Sequence, residues 1–196
     1  MNVFDTITAL STPQGVGGVA VIRISGPEAV AVADNLFKSQ SGKKPSGLKA
    51  RYASFGEIYD ADKNIIDQVL LTVFKAPASF TGEDVVEISC HGGKAVTEMI
   101  LKQLVLNGAR IAGRGEFTKR AFLNGKLDLT QAEAIMDIIE AEDEISLRSG
   151  ENHLQGKLKE KTEEIRGKII DVISHVLAVI DYPDEDIDEP EEKEIV

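Results

Sequence analysis

The sequence predicts an α+β chain, a mixed sheet-and-helix half followed by an all-helical half. Three observations carry this. Residues 1 to about 115 alternate short β-rich runs with helical segments. From about residue 117 onward, apolar residues recur almost entirely at helical spacing. One stripe there (Leu158, Ile165, Ile169, Val172, Ile173, Val176, Ile180) is too long to be left without a covering surface. With 196 residues, 42% of them apolar, the chain has material for one large domain or a domain with an appendage, and for a proper core.

Each element has a local reason. Residues 6–10 and 19–25 are β-rich runs, separated by the turn-rich Ser11-Thr12-Pro13-Gln14-Gly15-Val16-Gly17-Gly18. Ser25 with Glu28, and Pro27 between them, reads as a capping-box start. A helix is expected from there to about Lys38, because Val30, Ala33, Leu36 and Phe37 recur at helical spacing. Residues 39–47 read as loop. Residues 51–59 and 65–74 form an expected hairpin around Asp60-Ala61-Asp62-Lys63-Asn64. Residues 85–89 are a further strand. Residues 94–107 are an amphipathic helix stopped by Gly108, and residues 109–112 a last short strand. A short helix at 117–123 closes on Asn124-Gly125. Thr130 and Glu133 form a second expected capping box, opening a long helical pattern interrupted near 150–156. Besides the long stripe, Ile135, Ile138, Ile139 and Ile145 form one comparable stripe, so two helices alone would leave apolar surface exposed.

Composition narrows the function classes. A single cysteine, Cys90, excludes a disulfide framework and fits a reducing compartment. The start MNVFDTITAL lacks the basic region and apolar run of a secretory signal. No apolar window approaches the ~18 residues of a membrane span, so a cytoplasmic protein without a membrane partner is expected. The net charge of -11 is unevenly placed: residues 181–196 hold nine acids against Lys193 alone. That tail reads as a solvated linker, with a metal or partner site as the alternative. By contrast, residues 110–126 carry Arg110, Arg114, Lys119, Arg120 and Lys126 against Glu116, a basic island where an anion could sit. One island is not the broad basic surface that strong nucleic-acid binding asks for.

Several motifs can be weighed directly. Gly15-Val16-Gly17-Gly18 precedes a strand, whereas a dinucleotide fingerprint follows one, so it reads as a turn. Gly42-Lys43, Gly125-Lys126, Gly156-Lys157 and Gly167-Lys168 all lack the following Ser/Thr and the earlier glycine of a P-loop. Cys90 and His91 are strand neighbours aimed at opposite faces, which fits a core cysteine and a loop histidine better than a catalytic couple or a metal cage. No catalytic residue and no metal site is expected. Glu87 interrupts Val85-Val86-Glu87-Ile88 and either faces solvent or lines a pocket that recognises N–H donors. Arg23 interrupts Val19-Ala20-Val21-Ile22 and is either a surface cation or a partner for Glu87. Lys126 follows a turn where a lysine is commonly just exposed.

The runs DTITALSTPQGVGGVAVIRISG, SFTGEDVVEISCHGG and GRGEFTKRAFLNGKLDLTQAEAI, in that order over most of residues 5–135, resemble the N-terminal region of the MnmE (TrmE) family of tRNA-modification GTPases. Asp181-Tyr182-Pro183-Asp184-Glu185 also resembles the segment leading into that family's GTPase domain. The resemblance implies a folate-binding, dimerising α/β domain over residues 1–117, similar to tetrahydrofolate-binding aminomethyltransferase domains. The first part of an incomplete helical domain would follow over 118–182, and an acidic tail toward the G domain over 183–196. It implies 5-formyltetrahydrofolate or 5,10-methylenetetrahydrofolate as ligand, with contacts carried over to Arg23, Glu87 and Lys126. It further implies a homodimer. In the full-length complex it implies an FAD-containing partner, MnmG (GidA), and tRNA, whose wobble uridine receives an aminomethyl-type group. GTP, Mg and K would belong to a G domain beyond this stretch, so no GTP hydrolysis is expected from these residues alone. The alternatives are a purely structural dimerisation platform and a free-standing aminomethyltransferase-like protein, the latter disfavoured by length.

Overall fold

The structure is a computed structural model that describes residues 5–181. Two compact units emerge, one ending at Leu127 and one starting at Asp128.

The first unit is built on a seven-stranded sheet. Its strands are β1 (Ile7–Leu10), β2 (Gly17–Ser25), β3 (Phe37–Ser39), β4 (Ser54–Tyr59), β5 (Ile65–Phe74), β6 (Val85–Gly92) and β7 (Arg110–Ile111). The spatial order is β3-β4-β5-β6-β2-β1-β7. All neighbours are antiparallel except β1 and β7, which are parallel, so the sheet is mixed. Helices α1 (Ala29–Asp34), α2 (Lys94–Leu106) and α3 (Glu116–Leu123) belong to the same unit.

Period-two alternation decides which residues face the core. In β2, Ala20, Ile22 and Ile24 are buried while Val21 and Arg23 are only half-buried. The register sets Ile22 beside Ile88 and Ile24 beside Val86, and sets Ile88 and Val86 beside Leu71 and Val73 of β5. These residues join Ala29, Val30 and Ala33 of α1 and Ile100 and Leu104 of α2 in one core. The opposite face carries Arg23, Glu87 and Thr72 in one row across three strands.

The expected hairpin is present as β4 and β5. The helix expected up to Lys38 is not: α1 stops at Asp34, and Phe37 begins β3, which pairs with β4. Leu36 and Phe37 suit either period, and cross-strand pairing with Ile58 buries Phe37 more completely than a further helical turn on the surface would. β3 approaches closely because residue 56 is glycine; a Cβ there would stand 2.5 Å from the Phe37 ring. Ser25 does not cap α1 either. Glu28 is the N-cap, without a side-chain cap bond, and the Ser25 hydroxyl is engaged elsewhere.

The second unit contains α4 (Leu129–Glu140), α5 (Glu144–Leu154) and α6 (Lys157–Asp181). The capping box lies two residues before the expected one. Asp128 accepts from the Gln131 amide at 2.8 Å and the Gln131 side chain accepts from the Asp128 amide at 3.0 Å. Thr130 instead donates to Asp128. The expected interruption falls between α5 and α6, at Gln155 and Gly156. α4 and α5 pack with Gly150 against Ile138, and Gln131 donates to the Leu154 carbonyl at 2.9 Å. The acidic tail expected from residue 183 lies outside the described residues.

Helix α3 lies within the first unit, where Arg120 ties it to Asp5, just before β1, and to Glu83, just before β6.

Candidate functional site

Arg23 and Glu87 are 64 residues apart in sequence and directly opposite in register. Cross-strand neighbours of opposite charge on one face are within reach of each other. The Arg23 guanidinium donates through Nε at 2.8 Å and Nη2 at 2.6 Å, both to Glu87 Oε1. Two donors hold Oε1 and leave Oε2 without a hydrogen bond among the described residues. Neither side chain is sealed: Arg23 is 23% exposed and Glu87 27%. The guanidinium carbon lies 5.1 Å from the Phe80 ring centroid and 5.6 Å from that of Phe117. Both are cation–π distances, and both immobilise the cation. Of the two readings open for Arg23, the structure shows the partner for Glu87. Glu87 itself combines a held carboxylate with one open acceptor oxygen.

Lys126 comes to the same neighbourhood by another route. The turn after α3 lays it along the loop between β5 and β6, where its Nζ donates to the Pro77 carbonyl at 3.2 Å. In that loop Gly82 has φ +79, a conformation a side chain rarely adopts, and a Cβ there would crowd the side chains of Asn124 and Lys126 at 3.2 Å. Asn124 donates to the Thr81 carbonyl at 2.7 Å. The 75–84 loop therefore touches Lys126 through Pro77 and Arg23 through Phe80. Lys126 remains exposed, with spare donors toward solvent.

Within the basic island, Arg110 and Arg120 are not open to an anion, because each is paired with acids. Arg110 pairs with Asp5 at 2.6 Å and with Glu116 at 2.7 Å. Arg120, 3% exposed, donates to Asp5, Glu83 and Glu116. It is neither solvated nor at a domain boundary but inside the first unit. The cluster has strong electrostatic consequences. The Arg110 guanidinium, with the Gly113 amide and Arg120 assisting against burial, holds the Glu116 carboxyl at about 2. Hydrogen bonds from Arg110 and then Arg120 lower Asp5, while Glu116 and Asp5 raise Arg110. The charges of Arg110, Arg120, Asp5, Glu83 and Glu116 are thus spent on one another.

Cys90 and His91 separate as expected. Cys90 is buried in the core, where burial pushes its thiol up to about 11, so it carries no thiolate at neutral pH. His91 is exposed, but it lies in β6, one residue before its end, rather than in a loop, and its Nδ1 sits 2.7 Å from Asp67. Among the described residues no group of three or more His, Cys, Asp or Glu is placed to hold a metal ion. No helix there is long and apolar enough to cross a membrane. An open cavity of about 970 Å³, lined by Lys38, Tyr59, Gln103 and Leu106 among others, contains none of Arg23, Glu87 and Lys126.

Sequence reasoning missed Phe80 and Glu83 as parts of this neighbourhood. Phe80 and Glu83 stand in SFTGEDVVEISCHGG, so the signal was proximity to the candidate residue within that run.

Comparison with known proteins agrees with this architecture. The family described as GTP-binding protein TrmE N-terminus matches residues 6–126, and the MnmE helical domain matches residues 129–196. A tRNA modification GTPase MnmE from Caldicellulosiruptor saccharolyticus is 48% identical over 192 residues, covering 98% of this chain and 42% of the relative. Its counterpart from Clostridioides difficile is 47% identical over 188 residues, covering 96% of this chain and 41% of the relative. That from Bacillus subtilis is 43% identical over 183 residues, covering 93% and 40%. The chain thus spans about two fifths of the length of these relatives. A mixed-sheet unit matched along almost all its length, followed by helices matched to the family's helical domain, means that this chain belongs to the MnmE (TrmE) family of tRNA modification GTPases.

Proposed function

We propose that this chain is the folate-binding and homodimerising module of a tRNA modification GTPase. It would hold a one-carbon tetrahydrofolate, 5-formyl or 5,10-methylene, for modification of the tRNA wobble uridine. The observation that carries the reading is the Arg23–Glu87 pair, which presents an oriented carboxylate with Oε2 open beside two aromatic rings. A pterin edge offers ring N–H and exocyclic amine donors, which such an oxygen accepts. Phe80 and Phe117 supply apolar walls for flat rings. Lys126 supplies a cation with free donors for the anionic glutamate end. Binding needs no proton transfer, so the module presents a carbon unit and leaves the chemistry to partners. Those partners would be an FAD-containing protein of the MnmG (GidA) type and the tRNA, with GTP, Mg and K acting in the full-length protein's G domain.

Isothermal titration of this chain with 5-formyltetrahydrofolate tests the reading. Binding is expected, and Glu87→Ala should weaken it at least about tenfold, the step that about 1.4 kcal/mol makes. No binding by the folded chain, or unchanged affinity in Glu87→Ala, would sink it in favour of a purely structural dimerisation platform.

A further inference from the structure

The 75–84 loop meets Arg23 through Phe80, and hydrogen bonds hold it on either side of that residue. Lys126 holds the Pro77 carbonyl and Asn124 the Thr81 carbonyl. The Ser79 hydroxyl donates to the Glu83 carbonyl at 2.5 Å. Thr81 Oγ1 lies 2.7 Å from Ser25 Oγ, with both residues fully buried. The Glu83 carboxylate has the longest reach. It accepts from Ser25 Oγ at 2.6 Å and from Arg120 Nη1 at 3.2 Å. Ser25 stands two residues along β2 from Arg23, and Glu83 four residues before Glu87. Arg120 is in turn anchored to Asp5 and Glu116 on its other nitrogen. A continuous polar chain thus runs from α3 through Glu83 to the strand that carries Arg23.

We propose that Glu83, held by Arg120, is a positioning residue: it fixes the turn that places Phe80 over the Arg23 guanidinium, and so sets the aim of the Glu87 carboxylate. A buried polar network with every member satisfied holds one geometry, and losing one member leaves a desolvated partner that relaxes by moving. The exposed end of that movement is the Phe80 turn. Glu83 itself touches no ligand in this account. The account rests on the pocket reading for its functional meaning, but not for its structural claim.

The chain contains no tryptophan, so Phe80→Trp gives a single reporter in the turn. In that background Glu83→Gln, close to isosteric with the wild-type side chain, should raise acrylamide quenching of the reporter about twofold. It should also weaken 5-formyltetrahydrofolate binding about tenfold while the fold persists. Glu83→Asp, which keeps the charge, should recover part of both. If folded Glu83→Gln shows the quenching and affinity of its parent, the proposal is overturned. Should Glu83→Gln not fold, Ser25→Ala removes the same hydroxyl–carboxylate contact without deleting a charge, and decides by the same two readouts. Should the wild-type chain bind no folate, the pocket reading fails, while the quenching comparison, which needs no ligand, still decides whether Glu83 positions the turn.

Discussion

The sheet unit and the helical unit satisfy their apolar residues on different terms. In the first, Ile22, Ile24, Leu71, Val86, Ile88, Ile100 and Leu104 are all at or below 1% exposed. In α4 and α5 the buried residues are Ala134 and Gly150, both small. Along α6, Ile165, Ile169, Ile173, Val176 and Ile180 are between 46% and 65% exposed. Full burial of such a side chain contributes about 1.5–3 kcal/mol, and an exposed one contributes little of it. The sheet unit therefore carries its own stability, and the residues it presents stand on a packed scaffold. The α6 stripe contributes only to the extent that something covers it, and helices in water are marginal without such packing.

The largest effect should come from the ion cluster of the first unit. Arg120→Ala leaves Asp5, Glu83 and Glu116 without a buried cation, and should cost about 3–5 kcal/mol in urea unfolding monitored by circular dichroism. A loss below about 1 kcal/mol would mean that the cluster contributes little to the rigidity claimed for this unit.

Next in size is the paired substitution of the same residue type in each unit. Ile88→Ala should cost about 2–5 kcal/mol by cavity formation, whereas Ile169→Ala should stay within about 0.5 kcal/mol. Equal costs would break the comparison and show that the α6 stripe is covered in solution.

The smallest effect concerns pH. Glu116 is held at about 2 against an ordinary 4.5, chiefly by Arg110, and Asp5 is lowered in the same sense. A carboxylate whose folded pKa is depressed stabilises the fold fully above its unfolded pKa. That stabilisation is lost as pH falls through the folded one. The melting temperature should therefore drop between about pH 4.5 and 2, and Glu116→Gln should flatten that drop while lowering the plateau above it. An identical acid limb in both proteins would remove Glu116 from the account.

Much of this architecture is legible in the sequence, and the misses have physical causes. The β2 and β6 alternation is local, so both strands, and the odd charges Arg23 and Glu87 within them, stand out by inspection. Their pairing is not local, since only the register of two strands 64 residues apart brings the guanidinium to the carboxylate. Leu36 and Phe37 fit a helix and a strand equally, and a neighbouring strand decided between them. Arg120 illustrates a different limit. Its charge is visible in the sequence but its burial is not, although Glu116 four residues earlier on the same helix is a signal that could have marked the pair.

One feature of the sheet has a bearing on association. The strands at its two edges, β3 with three residues and β7 with two, are the shortest of the seven. They leave hardly any ladder of unpaired amides and carbonyls for a strand of another chain to join. A second copy of this unit has almost nothing to zip onto at the rim. The rim of the described sheet thus gives strand-to-strand growth little to start from.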